Sequence, residues 1–403
     1  MLRARGKGRM HTSRAVTAAL PGRALDDLNW MRAIAALAVL TDHVRGAFFV
    51  DPATKPSWFA DALYLATGFG QQAVIVFFVL SGFFIGTSVV VASRDGTWSW
   101  QRFALRRFSR LYVVLLPALA LTAAWDTAGT RLFGLHGIYI GRIGAPLVTL
   151  PDLRTSFTLR ALAGNVAFLQ DLLVPPFGSN GPLWSLSYEF WAYVTFPLLV
   201  RAALGGSSAL HRTSSALCGV ALLAFLGGLF PFYFAVWCLG ALVAIGWSVR
   251  PLTVKNPVAS VVATALLTAA LLVARRQALH GRQLEAFLLG AATAVFVTVR
   301  LAVAAGEAPD DDALSRAYTR GGDALAGMSY TLYANHYPVV AFFQTLWVGG
   351  HRLTPTPTSV VLVTLFGLGV VALYAFPLAR LTEAHTDDVR RWLERRVYDN
   401  RSA

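Results

Sequence analysis

The stretch RAIAALAVLTDHVRGAFF, residues 32–49, indicates the fold class of this chain. Its interior is apolar over nearly the length of roughly 20 residues that a membrane-spanning helix needs. Yet Arg32 opens the stretch, and Asp42 and His43 lie deep inside it. Ionisable groups at membrane depth are costly, and by default they indicate function. The stretch therefore predicts a membrane helix that carries chemistry.

The composition of the whole chain supports this interpretation. The 403 residues are 56% hydrophobic and 14% charged, with a mean hydropathy of +0.54. Soluble domains average about 25% charged residues, so the composition predicts a polytopic membrane protein. The net charge of +14 would suit nucleic-acid binding, but the arginines cluster beside apolar segments, where positive-inside topology accounts for them. We therefore expect no nucleic-acid partner.

Hydropathy divides the chain into about ten apolar segments of spanning length. They lie near 31–50, 69–92, 109–128, 183–203, 214–230, 231–248, 257–274, 284–304, 325–348 and 358–380. The two segments that meet at Pro231 are either two short spans with a tight turn or one longer kinked segment. A half-length apolar stretch, 161–174, is interpreted as a re-entrant or interfacial helix.

These segments predict an all-α protein with about ten transmembrane helices in one bundle and both termini cytosolic. Residues 1–28 would form a basic, flexible cytosolic arm, 29–382 the membrane domain and 383–403 a basic cytosolic tail. Basic residues in the arm, in 94–110 and in the tail favour this topology. Several other arginines would then lie outside against the rule, namely Arg131, Arg142, Arg154, Arg160, Arg275, Arg276 and Arg282. The acidic linker 307–312 is predicted to be a solvated loop.

Arg32 and His43 share one face of the first helix. Eleven steps of about 100° return to within about 20° of the start, and they separate the two residues by about 16 Å along the axis. Arg32 would lie at the cytosolic interface and His43 near mid-membrane. The alternative is a packing histidine with a snorkelling arginine. Asp42 points to a different face, so a pairing with His43 does not follow.

An arginine cluster opens the third segment, in WQRFALRRFSRLYVVLLPAL (100–119). Cytosolic topology readily explains Arg102 and Arg106. It explains Arg110 less well, because an apolar segment follows that residue directly. Arg107 and Arg110 form an Arg-x-x-Arg pair, and guanidinium groups suit a bidentate grip on phosphates. The phosphates could belong to a cytosolic cofactor or to a lipid headgroup.

Two further segments contain isolated ionisable groups. Glu189 lies in the aromatic run GPLWSLSYEFWAYVTFPLLV (181–200), and we expect an Arg or His of another helix to pair with it, for structure or for catalysis. His336 lies in GMSYTLYANHYPVV (327–340). In VFFVLSGFFIG (76–86), Ser81 and Gly82 indicate helix packing rather than chemistry.

Searches for other catalytic patterns give nothing. The chain has no nucleophile elbow, no phosphate-binding loop ending in Gly-Lys-Ser/Thr and no His-Glu-x-x-His. No Cys/His cluster has the spacing of metal ligands, so we expect no metal cofactor.

Taken together, the motifs resemble those of the acyltransferase 3 family of membrane O-acyltransferases, over roughly residues 25–380. Five family patterns occur in the family's order: an Arg-x10-His in the first span, FF-x-LSGF, Arg-x-x-Arg on the third span, W-S-L-x-x-E-x-x-x-Y and a late SYxLYxxHxP. They fall on Arg32 and His43, on 77–83, on Arg107 and Arg110, on 184–193 and on 329–338.

The resemblance implies acyl transfer from cytosolic acyl-CoA, with acetyl-CoA expected, to a hydroxyl of a surface-polysaccharide sugar or similar acceptor. His43 would be the general base, Glu189 would orient or charge-balance a neighbouring group, and His336 would stabilise the thioester oxyanion or shape the acceptor pocket. Arg32, Arg107 and Arg110 would hold the CoA phosphates. The protein would lie in the inner (plasma) membrane with lipid around it.

A macrolide or other secreted small molecule is the alternative acceptor. The alternative classes of function are a polysaccharide or lipid-linked-sugar transporter and a non-catalytic scaffold.

Overall fold

The computed structural model describes residues 20–51, 57–141, 152–204, 208–275, 283–307 and 312–399. Within these ranges the chain is helical, and β-pairing is limited to two isolated bridges, Phe49–Leu353 and Gln170–Val174. The all-α prediction is confirmed. Residues 1–19, most of the acidic linker and Arg142, Arg276 and Arg282 lie outside the described residues.

The described residues form sixteen α-helices. They are α1 Gly22–Phe48, α2 Trp58–Thr67, α3 Gly70–Arg94, α4 Trp100–Phe133, α5 Leu153–Ser156, α6 Leu159–Val166, α7 Trp184–Leu204, α8 Ala209–Leu226, α9 Phe230–Val249, α10 Val258–Arg275, α11 Gln283–Ala304, α12 Ala313–Ala326, α13 Ser329–Val348, α14 Pro357–Gly369, α15 Phe376–Leu381 and α16 Thr386–Asp399. Short 3₁₀ turns lie at Gly137–Ile140, Gly181–Leu183 and Glu383–His385, and a π-helical turn, Val370–Ala375, joins α14 to α15.

Seven described segments are long and apolar enough to cross a membrane. They are Trp58–Arg94, Trp100–Phe133, Ala209–Leu226, Phe230–Val249, Val258–Arg275, Gln283–Ala304 and Pro357–Val397. The chain is thus a polytopic all-α membrane protein. Helices α1, α7 and α13 coincide with the three remaining predicted spans. A total of ten spans and cytosolic placement of both ends stay predictions.

Several boundaries differ from those expected from sequence. Helix α1 begins at Gly22 and so includes the last seven residues of the arm predicted over 1–28, whose cytosolic position stays a prediction. Around Pro231 there are two helices, because Gly227 and Gly228 adopt positive φ between α8 and α9. Of the half-length stretch 161–174, only the part up to Val166 is helical. Helices α2 and α12 were not foreseen, because 10 and 14 residues are too few for a span.

The described chain divides into two compact units. Unit 1 comprises the described parts of Met1–Ala35, Gln71–Trp98 and Tyr188–Ala326, and unit 2 those of Ala36–Gly70, Ser99–Ser187 and Gly327–Ala403.

In unit 1, helices α3 and α9 approach each other through glycines. A Cβ atom at Gly82 would overlap the Trp237 carbonyl oxygen, and one at Gly240 would overlap the Val79 carbonyl oxygen. Small residues permit such close contact between membrane helices, where dispersion forces drive association. The packing role predicted for Gly82 is therefore confirmed.

In unit 2, helices α4 and α13 run side by side in the same direction. The Tyr330 hydroxyl donates to the Leu111 carbonyl oxygen (3.4 Å). Further along both helices, the Trp125 ring contacts the Phe342 ring, with centroids 4.9 Å apart. The unit 2 part of α1 runs in the same direction, since His43 lies beside His336 and, further along both helices, the Phe48 ring lies 6.1 Å from the Trp347 ring. A shared direction is what the first, third and ninth of ten alternating spans require.

A proline in α13 is compensated from outside the helix. Pro338 has no N–H to donate to the carbonyl oxygen of Ala334, four residues earlier. The side-chain amide of Asn180 donates to that oxygen instead, at 2.8 Å, and also donates to the Thr122 hydroxyl at 3.0 Å. The loop before α7 therefore fixes the backbone of α13 at this level.

Substitution of Gly240 by Ala is expected to destabilise unit 1. The new Cβ would have to displace backbone of α3, and overpacking typically costs about 1–3 kcal/mol. The matched control is Gly246→Ala on the same helix, where an added Cβ has nothing within 4 Å. Thermal unfolding in detergent should show a lower midpoint for Gly240→Ala alone. Equal midpoints for the two variants would contradict the close helix contact.

Candidate active site

The structure brings two of the predicted site residues into direct contact. His43 Nδ1 on α1 lies 2.7 Å from His336 Nε2 on α13, with the ring planes only 10° apart. His336 is 1% exposed, whereas His43 is partly exposed. The two residues are 293 positions apart in the sequence, which predicted each of them but not their pairing.

The inner histidine is anchored on its own helix. His336 Nδ1 lies 2.9 Å from the Leu332 carbonyl oxygen and 3.0 Å from that of Tyr333. The ring of Tyr337 meets that of His43 edge to face, with centroids 5.4 Å apart. One imidazole therefore has both nitrogens in hydrogen-bonding contact with protein, while the other has an accessible side.

Asp42 has a different partner from His43. Its carboxylate lies 2.5 Å from the guanidinium of Arg45, and both side chains are about 4–5% exposed. The Arg45 guanidinium also lies over the Tyr64 ring, 4.1 Å from its centroid. The separate face expected for Asp42 agrees with this pairing. Sequence reasoning missed Arg45, although its position three residues after Asp42 on the same helix was an available signal.

The arginine pair lies on α4, in the same unit as the histidines. Arg107 is buried and lies 5.9 Å from the centroid of the Phe103 ring, and Arg110 is partly buried. Arg102 and Arg106 are exposed, as the topology explanation requires. Leu111, next to Arg110, is level with Tyr330. His336 follows Tyr330 by six positions on α13, which is a rise of about 9 Å. The histidine pair therefore lies about 9 Å along the helix axis from the level of Leu111 and Tyr330.

Glu189, in unit 1, is bound by hydroxyl groups. Its Oε1 accepts hydrogen bonds from Ser81 Oγ at 2.8 Å and from the Tyr193 hydroxyl. Trp237 Nε1 donates to Ser81 Oγ at 3.2 Å, which completes the cluster. In the described part of unit 1, no Arg or His pairs with Glu189 and its donors there are neutral hydroxyl groups, so pairing with a cation stays a prediction. Ser81, assigned only to packing from the sequence, is the residue that sequence reasoning missed here.

Arg32 lies in unit 1 as well and is partly buried. The same helix, α1, continues without interruption from Arg32 to His43, as the one-helix prediction requires. Among the described residues, no group of three or more His, Cys, Asp or Glu side chains is arranged to hold a metal ion.

Comparisons with known proteins agree with the resemblance seen in the motifs. The acyltransferase 3 family model, described as an acyltransferase domain, matches residues 25–376. Acyltransferase MdmB of Streptomyces mycarofaciens is 33% identical over 181 residues, which make up 44% of this chain. The alignment spans about two fifths (39%) of the length of that relative. No solved structure matches the chain.

The buried Asp42–Arg45 pair generates a stability prediction. Asp42→Asn leaves the guanidinium buried without a counter-charge, and breaking a buried ion pair in this way costs about 3–5 kcal/mol. The double variant Asp42→Leu/Arg45→Met removes both charges and should recover most of that loss. Thermal unfolding of the purified variants in detergent measures both effects.

The control for this prediction is an exposed ion pair in the same unit. Arg154 and Asp152 also lie 2.5 Å apart, but the Arg154 side chain is 66% exposed. Asp152→Asn should leave the unfolding midpoint nearly unchanged, because solvent screens exposed ion pairs and Asn also caps helices well. A single Asp42 variant as stable as this control would contradict the importance of the buried pair.

Proposed function

The chain belongs to the acyltransferase 3 family, and from this we propose that it moves an acyl group from cytosolic acyl-CoA to an acceptor hydroxyl. It is a membrane-embedded transferase of groups other than amino-acyl groups. We propose acetyl as the acyl group, a cell-surface polysaccharide sugar or similar molecule as the acceptor, and the inner (plasma) membrane as the location. The observation that carries the proposal is the partly exposed His43, supported by the buried His336 at 2.7 Å.

His43 is proposed as the general base. An alcohol is a weak nucleophile until its proton is removed, and a neutral imidazole is suited to that task near pH 7. As His43 takes the proton, the alcohol oxygen bonds to the thioester carbonyl carbon. The carbon–sulfur bond then breaks, and the leaving thiolate of CoA receives the proton back from the imidazolium. The products are the ester and free CoA, and the enzyme returns to its starting state.

Arg107 and Arg110 are proposed to hold the phosphates of CoA, together with Arg32. Two arguments favour CoA over a lipid headgroup for the pair on α4. Arg107 is buried rather than facing the membrane surface, and α4 is parallel to and in contact with α13, which carries His336. An offset of about 9 Å along these helices suits a ligand with phosphates at one end and a reactive thioester at the other.

Glu189 is proposed to orient a polar group of a substrate. Ser81 and Tyr193 both donate to Oε1, and no described residue of unit 1 donates to Oε2. Because hydrogen bonds to Oε1 fix the orientation of the carboxylate, the direction of Oε2 is fixed as well. A hydrogen-bond acceptor that positions a substrate needs such a fixed direction. This role is compatible with either type of acceptor.

Family membership favours acyl transfer over the transporter and scaffold alternatives, because the matching family model describes an acyltransferase domain. The proposed acceptor is a surface glycan, and the alternative acceptor is a secreted small molecule. The experiment that tests it is mass spectrometry of surface glycans and secreted small molecules from cells with and without the gene. A lost acyl mass on the glycan supports the proposal, and a loss confined to a secreted macrolide or similar molecule would replace it.

Complementation tests the role of His43. Wild-type protein should restore the lost acyl mass, whereas His43→Ala should not, because removal of a general base costs about a hundred- to ten-thousand-fold in rate. His43→Gln should also fail, since an amide forms hydrogen bonds but takes no proton. Immunoblots of membranes provide the control for expression. Turnover within about threefold of wild type in either variant would exclude His43 as the base.

Replacement of both Arg107 and Arg110 by Lys tests the donor site. Lysine keeps the charge but has no planar fork for bidentate binding of phosphate. The KM for acyl-CoA should rise about tenfold or more, as expected for loss of roughly 1.4 kcal/mol of binding, with protein level near normal. The control is Arg102→Lys/Arg106→Lys, which changes two exposed arginines of the same helix. Equal KM values in both double variants would leave these arginines with a topological role only.

A further inference from the structure

The hydrogen bonds around the histidine pair fix where the protons lie. His336 Nδ1 is 2.9–3.0 Å from two backbone carbonyl oxygens, those of Leu332 and Tyr333. A carbonyl oxygen can only accept, so Nδ1 must carry the proton of the neutral ring. His336 Nε2 is then an unprotonated acceptor.

The same argument determines which nitrogen of His43 carries a proton. His43 Nδ1 lies 2.7 Å from His336 Nε2, so His43 Nδ1 must carry a proton and donate it. In neutral His43, the lone pair is therefore on Nε2. No described residue of unit 2 hydrogen-bonds to this atom, and it is not among the buried polar atoms left without a partner. The free lone pair is thus on the accessible side of the ring.

We propose that His336 is a positioning residue, which holds His43 in the tautomer and orientation that present Nε2 to the acceptor hydroxyl. This inference rests on the proposed function, in which His43 is the base. It assigns His336 a role different from oxyanion stabilisation or shaping of a pocket. An imidazole free of such restraint divides between two tautomers, and only one of them places the lone pair at Nε2.

The arrangement remains intact through the reaction. When Nε2 of His43 takes the hydroxyl proton, Nδ1 keeps its own proton and its hydrogen bond to His336. The resulting imidazolium is then stabilised by a charge-assisted hydrogen bond to a neutral acceptor. His336 gains and loses no proton, so no second base is required. The proton on Nε2 is available for the departing thiolate.

The compensated proline strengthens the anchor. Leu332, Tyr333 and Ala334 supply three successive carbonyl oxygens, two to His336 and the third to Asn180. Asn180 thus fixes the turn of α13 from which the ring of His336 is held. The orientation of His43 therefore depends on a backbone segment constrained on both sides.

Two substitutions of His336 distinguish positioning from other roles. In His336→Gln, the side-chain oxygen can occupy the region of Nε2 and accept from His43 Nδ1. In His336→Ala, no acceptor remains. With acyl-labelled acetyl-CoA and membranes that contain the natural acceptor, we expect His336→Ala to lower apparent kcat about a hundredfold or more. His336→Gln should retain about a tenth or more of wild-type kcat, with the KM for acetyl-CoA unchanged in both variants.

Control variants separate this inference from the proposed function. Thr345→Val on the same helix removes a buried hydroxyl that donates to the Ala341 carbonyl oxygen within α13, and its kcat should match wild type. His43→Ala is measured in parallel, and an active His43→Ala overturns the base itself. An inactive His43→Ala with an active His336→Ala overturns only the positioning role. Equal loss in His336→Gln and His336→Ala also overturns it, because the imidazole of His336 would then take part in the chemistry directly.

Discussion

Ionisable and polar groups inside an apolar medium need partners, and this constraint explains most of the polar contacts described here. Water is absent from the hydrocarbon region, so an isolated charge or unpaired hydrogen-bonding group costs several kcal/mol. Three ionisable side chains of the protein avoid this cost through different kinds of partner. Asp42 has a counter-charge, Glu189 has two hydroxyl donors, and His336 has carbonyl oxygens on one side and His43 on the other.

The three solutions have different chemical consequences. A counter-charge on the same helix, as for Asp42, gives a pair that is neutral overall and rigid. Hydroxyl donors bring no counter-charge to Glu189, which suits the contact with a substrate proposed for it. Two imidazoles hydrogen-bonded in series need no charge at all, and the outer one keeps a basic nitrogen. Of the three, the last arrangement combines hydrogen-bonded side chains with a neutral basic nitrogen, which the proposed general base requires.

Sequence reasoning succeeded where the signal is local. Each predicted span overlaps a helix, because hydropathy over about 20 residues reports directly on burial in lipid. It failed for α12, whose 14 residues are too few to span, and whose place is fixed by contacts with distant residues such as the hydrogen bond from Asn29 to Asp323. The pairing of His43 with His336 joins positions almost 300 residues apart, which a single sequence does not contain. The motifs predicted the residue types of the candidate site, but not which of them meet.

The proline of α13 has an evolutionary consequence. Because Pro338 removes an N–H from the helix, the Ala334 carbonyl oxygen becomes a docking point for the amide of Asn180. A homologue with an ordinary residue at position 338 would restore the helical hydrogen bond and weaken the need for an amide at 180. The two positions are therefore expected to change together, and the loop before α7 to accept insertions at places other than this one. Sequence divergence in that loop would be limited by the backbone of a helix more than 150 residues away.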